Sequence, residues 1–409
     1  METKKIKYAH LLPVLMSFLV MSFVDLVGIG VDRVSKDMTL NATMGQLIPS
    51  AAFLWFLLLS VPTGILQARI GKRTMLNIGM GITAVGMLLP YFVYSFGSVL
   101  AGFALLGIGN TIVQVSANPL LVDVVSGHKV SSFMSFSQFI KAIGSMMGAP
   151  LAAWFALQFG DWKLLFLVFG IVSVLSVLWL GSVKIKERGQ AVRKSGGQDD
   201  HGGPESRDHG VEKLPKVTFG SAFGLLGNSF ILLMVLSIFV VVGVDVGFNS
   251  NSGQFLTRQF GIDPTAAESG RSVYFFGRMI GTFLGAILLA RLSSRKFFTW
   301  TSVLAMLAFV IILLVKSPVA AWILVFIIGL AVANIWPLVF SIAVEKYPDR
   351  TNEISGLMMT AICGGAVIPL LMGWVTDLGS VASAIWVLIG CMVYLLGVAV
   401  FVNARNEHE

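Results

Sequence analysis

The sequence predicts an all-α integral membrane protein, with twelve transmembrane helices in two pseudo-symmetric six-helix bundles. Three observations predict it. Hydrophobic residues make up 56% of the chain and charged residues only 12%, against roughly 25% charged in soluble proteins. Twelve apolar runs are each long enough to cross a bilayer, which takes about 20 residues per helix. One polar segment divides those runs six from six.

The first run, 11–34, follows Lys4, Lys5 and Lys7 with no small-residue cleavage site, so it is expected to remain as a span. Runs at 43–68, 74–95, 97–125, 130–158 and 162–183 complete a first half, residues 1–183. Residues 184–224 then break the apolar pattern with Ser195-Gly196-Gly197-Gln198-Asp199-Asp200-His201-Gly202-Gly203-Pro204 and alternating charges. That composition reads as a flexible linker. The second half, 225–409, holds runs at 227–255, 267–291, 297–316, 319–345, 353–376 and 380–403. Cys363 and Cys391 fall inside spans as small apolar residues, with no disulfide or metal framework around them. His10, His128, His201, His209 and His408 fall at span edges, in the linker or in the tail. No metal site and no cofactor are expected.

The net charge of +8 orients the chain. With twelve spans and the N-terminus inside, 21 of the 29 Lys and Arg residues fall on the cytoplasmic side. Six, Arg271 among them, fall outside, and Lys141 and Arg278 fall within the membrane. This positive-inside bias places both termini in the cytoplasm of a multi-pass protein of the cell inner (plasma) membrane. No basic face interleaved with aromatics supports a nucleic-acid partner. The expected partners are the lipid bilayer and a small molecule, and the expected state is a monomer.

Two aspartates lie deep in spans at matching places in the halves: Val24-Asp25-Leu26-Val27-Gly28 and Val244-Asp245-Val246-Gly247. A carboxylate in the hydrocarbon region costs several kcal/mol, roughly 2.5–3.5 on insertion scales, so it faces a cavity and acts there. Further matches follow. Gly64 through Arg73 after span 2 pairs with Gly285 through Lys296 after span 8, and Ala117-Asn118-Pro119-Leu120 in span 4 pairs with Ala333-Asn334-Ile335-Trp336-Pro337-Leu338 in span 10. These indicate an internal repeat, and a site near the midplane between repeats is a known transporter plan.

The loop Gly64-Ile65-Leu66-Gln67-Ala68-Arg69-Ile70-Gly71-Lys72-Arg73 resembles the signature Gly-x-x-x-Asp-Arg-x-Gly-Arg-Arg of the major facilitator superfamily. Gly64, Arg69, Gly71 and Arg73 match, Lys72 replaces an arginine, and Ala68 replaces the aspartate. The chain is also similar to the fucose:proton symporter and glucose/galactose porter family. The motifs are Gln114-Val115-Ser116-Ala117-Asn118-Pro119, Gly277-Arg278-Met279-Ile280-Gly281-Thr282, Trp336-Pro337-Leu338-Val339-Phe340 and Gly364 through Trp374. The resemblance implies the major facilitator fold and a sugar symporter, for a hexose such as glucose, galactose or fucose, working by alternating access. It makes Gly64–Arg73 a gating loop. In the fucose branch a span-1 aspartate and a span-4 glutamate carry proton coupling. Asp25 matches the first, and Gln114 stands at the second, as in the glucose/galactose branch.

Read by themselves, Asn110, Gln114 and Asn118 recur at four-residue spacing and share one face of span 4. Amides donate and accept, which suits vicinal hydroxyls, and they also tie helices together. Span 5 places Gln138 and Lys141 on one face, with Ser137 and Ser145 near. Lys141 is expected to neutralise Asp25, or to meet the carboxylate of an acidic sugar such as a sialic or uronic acid. Where the family tends to carry asparagine, this chain has Lys141. Span 7 has Asp245, Asn249 and the run Ser250-Asn251-Ser252-Gly253-Gln254, polar enough to unwind beside a cavity, with Asn249 and Gln254 as sugar ligands. Arg278 is expected to hold Asp245 or another acceptor of span 7. Tyr274, Phe275 and Trp336 are candidates to stack on a sugar, and Asn334 completes the binding set. Asp25, Lys141, Asp245 and Arg278 form the expected ion-coupling set, with proton or sodium as the coupling ion.

The chain carries no ordered catalytic triad, no His/Cys metal spacing and no Gly-x-x-x-x-Gly-Lys-Ser/Thr loop. An enzyme and an ATP-driven pump are therefore not expected. A symporter for an acidic or N-acetylated sugar and a non-transporting membrane sugar sensor are the alternatives.

Overall fold

The computed structural model describes residues 8–125, 130–185, 187, 224–288, 292–347 and 350–406. Most of the linker, with His201 and His209, lies outside the described residues, as do His128, Ala290, Arg291 and His408.

Span 1 consists of Tyr8–Met21, a tighter 3₁₀ segment Ser22–Leu26, and Val27–Asp37. Spans 2 to 6 are Ala42–Ile70, Lys72–Phe92, Phe96–Val124, Val130–Phe159 and Leu164–Ser182. Spans 7 to 9 are Ser229–Phe260, Pro264–Leu288 and Ser294–Leu314. Span 10 joins Pro318–Val332 to Ile335–Lys346, span 11 joins Thr351–Thr360 to Gly364–Leu378, and span 12 is Val381–Asn406. Eleven spans are apolar and long enough to cross a membrane by themselves. The eighth contains Glu268, Arg271 and Arg278 in its 25 residues.

Helix starts follow local chemistry. Asn41, Ser95, Asn228, Ser293 and Ser317 each accept a backbone N–H of the first turn of the span that follows them. That satisfies donors with no intrahelical partner. Gly71, with φ +98°, makes the sharp turn between spans 2 and 3 that a side chain would strain.

Two apolar cores form, one in each half. The first is built from residues between Leu11 and Leu180, and the second from residues between Phe230 and Val402. Val246, Ile362 and Ala366 reach across into the first core, so the halves touch through apolar side chains.

The bonds that cross the seam cluster toward one end, opposite the termini. Asp377, at the end of span 11, accepts Ala42 N and Thr43 N at 2.8 and 2.7 Å, capping span 2 of the other half. Gln46 Nε2 donates to Asn251 Oδ1, and Ser50 Oγ donates to the Ala366 carbonyl. Ser272 Oγ donates to the Met146 carbonyl. The molecule is thus closed at the end away from the termini.

Span 7 corrects an expectation. Its polar run stays helical through Ser250–Gln254, because those side chains bond within the helix. Ser250 Oγ and Asn251 Nδ2 donate to the Gly247 carbonyl, and Ser252 Oγ donates to the Asn249 carbonyl. The break beside the site lies in span 1 instead.

Candidate functional site

Span 1 loses α-geometry where Ser22 and Asp25 precede Gly28 and Gly30. A tightened turn leaves carbonyls to be satisfied from outside the helix. Asn110 Nδ2, from span 4, donates to the Met21 carbonyl at 2.7 Å. Asn249 Nδ2, from span 7, donates to the Asp25 carbonyl at 3.0 Å. Asn110 and Asn249 are thereby committed to holding the break, and Asn249 joins the two halves there. Asn110 also accepts Gln114 Nε2 at 2.7 Å, and Asn118 leans toward the Gln114 carbonyl at 3.5 Å. Gln114 and Asn118 stay half-buried on the predicted face.

The carboxylate of Asp25 contacts Ser145 of span 5, whose Oγ lies 2.5 Å from Oδ2. The same hydroxyl lies 3.1 Å from the Lys141 carbonyl. A hydroxyl has one proton to give and lone pairs to receive another. It can donate to ionised Asp25, or accept from protonated Asp25 while turning its own proton to the Lys141 carbonyl. Lys141 differs from expectation: its ammonium makes no ion pair with Asp25, although it exerts the strongest field on Asp25 of any charged neighbour. Arg278 and Asp245 also act on Asp25, so the four predicted charges share one region.

Asp245 is held as expected. Arg278 Nη1 lies 2.8 and 2.6 Å from its two oxygens, and Tyr274 Oη donates to Oδ1. The pair retains 31% and 23% side-chain accessibility halfway along its spans. Tyr274 is fully buried and spends its hydroxyl on Asp245, so it is a positioning residue and not a stacking surface. Asn334 is likewise buried and donates to the Gly281 carbonyl at 2.7 Å. There it ties the break of span 10 to span 8. Trp336 stacks on Phe340 and remains half-buried. Gln138 is exposed, one turn from Lys141 toward the end that carries the termini. Gln254 lies beside Asp32, at the closed end.

Arg271 was expected outside the membrane boundary, and the structure buries it. Its guanidinium keeps only 2% accessibility, with Nη2 2.6 Å from Asp32 Oδ2 of the first half and Nε 2.9 Å from the Asn249 carbonyl. Gly28 and Gly253 allow this approach, since a Cβ on either would collide with Arg271 or Asp32. Asp32 and Arg271 thus form a second ion pair within the spans, beside Asp245 and Arg278. A signal was present: Asp32 follows Asp25 by seven residues, and Arg271 precedes Arg278 by seven. That spacing keeps each pair on one helix face.

In the predicted gating loop, Glu187 accepts Lys72 N and Arg73 N at the start of span 3. Arg73 donates to the Leu180 and Gly181 carbonyls, and Lys72 pairs with Asp123 at 2.7 Å. These contacts bind spans 3, 4 and 6 of one half at the end of the molecule away from the closed seam. Gly64 is half-buried and Arg69 exposed in the same stretch.

Two helical halves meeting at a midplane cluster of charges and amides, closed at one end, define a membrane transporter architecture rather than an enzyme. The chain belongs to the major facilitator superfamily, whose model matches residues 14–253 and 234–409. It is 25% identical over 383 residues to a glucose/galactose transporter of Brucella abortus, covering 87% of this chain and 84% of that one. The Escherichia coli fucose:proton symporter structure superposes with TM-score 0.65 at 16% identity, covering 96% and 99% of the two chains. An inward-facing bacterial homologue of the human lysosomal transporter Spinster superposes with TM-score 0.71 at 16% identity, covering 99% and 98%.

Proposed function

We propose that this chain is a secondary active transporter that imports a sugar by ion-coupled symport with alternating access. The observation that carries the proposal is the Asp25–Ser145 contact at the span-1 break. It offers a carboxylate with a neutral hydroxyl partner, whose backbone is tied to the opposite half through Asn249. Asp245 is bridged by Arg278 and serves as a fixed charge, whereas Asp25 is free to exchange its ion. A proton suits the reversible Ser145 hydrogen bond. Sodium is the second candidate, with the Asp25 carboxylate as ligand.

The sugar reading draws on the relative named for glucose and galactose and on the amide face of span 4. Gln114, Asn118 and Gln138 would bind hydroxyls, with Trp336 against the sugar's apolar face. Ion binding at Asp25 would remove a charge from the cavity, and the halves would rock about the site. The topology proposed is twelve spans in the inner membrane with both termini cytoplasmic, acting as a monomer. The closed end then faces outward, and this conformation opens inward.

Purified protein in liposomes tests this. Labelled galactose and glucose, and their uronates, should accumulate under an imposed proton or sodium gradient. Asp25→Asn should abolish gradient-driven accumulation while retaining counterflow exchange. Binding without flux would make the chain a sensor. Accumulation by Asp25→Asn equal to wild type would remove Asp25 from coupling.

A further inference from the structure

We infer that the transported sugar carries a carboxylate, which Lys141 receives when Asp25 takes up a proton. The inference rests on the sugar-transport proposal and names its substrate class. Arg271 and Arg278, the cations that span 8 brings to this region, are both spent. Arg271 is paired with Asp32, and Arg278 with Asp245, at N–O distances of 2.6 Å. The ammonium of Lys141 contacts no carboxylate, and the residue is half-buried.

The surroundings of Lys141 narrow what could answer its charge. Span 1 presents Asp25, and farther toward the closed end Asp32, which Arg271 occupies. Span 7 presents Asp245 and span 8 presents Arg271, Arg278 and the hydroxyl of Tyr274, all bound to one another or to Asp32. Span 4 offers the amides of Gln114 and Asn118, and its Asp123 is held by Lys72. Span 6 contains no charged residue between Leu164 and Ser182. Among the described residues, Asp25 is therefore the one carboxylate near Lys141 without a cationic partner.

The charge balance follows. With Asp25 ionised, Lys141 is offset at a distance and the site is neutral. Once Asp25 is protonated, Lys141 stands uncompensated in the membrane, a costly condition. A neutral sugar leaves that charge standing, while a sugar acid cancels it with a charge-assisted hydrogen bond. Proton and carboxylate thus bind cooperatively. The loaded site keeps the net charge of the empty one, so symport of a monoanionic sugar with one proton moves no net charge. Gln114, Asn118 and Gln138 remain for the hydroxyls.

Matched pairs test this in proteoliposomes: galacturonate against galactose, and glucuronate against glucose, with N-acetylneuraminate as a third acid. At least one acid should bind about ten- to a hundredfold tighter than the neutral sugars, the range a charged hydrogen bond supports. Its proton-driven uptake should be insensitive to membrane potential. Lys141→Gln should erase that preference, while Lys141→Arg should retain it. If Lys141→Gln does not fold, wild type and Lys141→Arg still decide the matter through the acid-to-neutral ratio and the potential dependence. Galactose or glucose binding as well as every acid overturns the inference and leaves sugar transport standing. Binding of no sugar at all overturns both.

Discussion

Replacing Arg271 with glutamine should open the closed end of the transporter. Arg271 belongs to the second half and Asp32 to the first, and they meet at 2.6 Å with side-chain accessibilities of 2% and 11%. Removing one member of such a pair leaves the other charge buried without a partner, at a cost of about 3–5 kcal/mol. The cost falls on the closed form alone. When this end opens, water reaches Asp32 and the penalty is relieved. At 1.36 kcal/mol per tenfold change, the equilibrium should move toward the open form by roughly two to nearly four orders of magnitude. Spin labels at Lys36 and Ser380, exposed on opposite halves at this end, would report the change by electron–electron distance measurement. The labels go into a Cys363→Ala/Cys391→Ala background. Arg271→Gln should lengthen the main distance. The double variant Asp32→Asn/Arg271→Gln removes the stranded charge and should revert most of the shift. An unchanged distance distribution in correctly folded Arg271→Gln would refute the role of this pair as a lock.

Three further outcomes follow from the same geometry. Gly253→Ala places a Cβ against Asp32, so the spin-label distance should lengthen without any change of charge. Asp377→Ala removes the cap of span 2; because the contact is exposed, a cap loss of about 0.5–1.5 kcal/mol should shift the same equilibrium by roughly two- to tenfold. Asp25→Asn should leave that distance near its wild-type value yet abolish gradient-driven uptake, since Asn249 grips the Asp25 carbonyl and not its side chain.

Composition and apolar periodicity made the fold class legible before any contact was known. A helix that crosses a bilayer must be apolar along its length, so each span leaves its own record, and the polar linker marks the divide between the halves. The eighth span was read in the same way, as the apolar run 267–291, although it carries Arg271 and Arg278. Charged residues deep in spans were equally visible, because a carboxylate at Asp25 or Asp245 breaks the apolar run that surrounds it. The pairing of Asp245 with Arg278 could be anticipated from a single acid and a single arginine at matching depth. Asp32 and Arg271 were missed because they sit near span ends, where a charge ordinarily reaches water.

Sequence alone therefore determined the membrane class, the two halves, and the residues with charge to explain. Tertiary structure decided who meets whom. Lys141 and Ser145 lie one turn apart on span 5, and either could have faced Asp25. Only the rotation and depth of that helix against span 1 gave the contact to Ser145 and left Lys141 without an ion pair. The same holds for Asn249 and Asn334, whose amides suit a sugar as well as a carbonyl. Asn249 is taken by the Asp25 carbonyl at the break of span 1, and Asn334, at the break of its own span, by the Gly281 carbonyl of span 8, so both candidate ligands become structural ties.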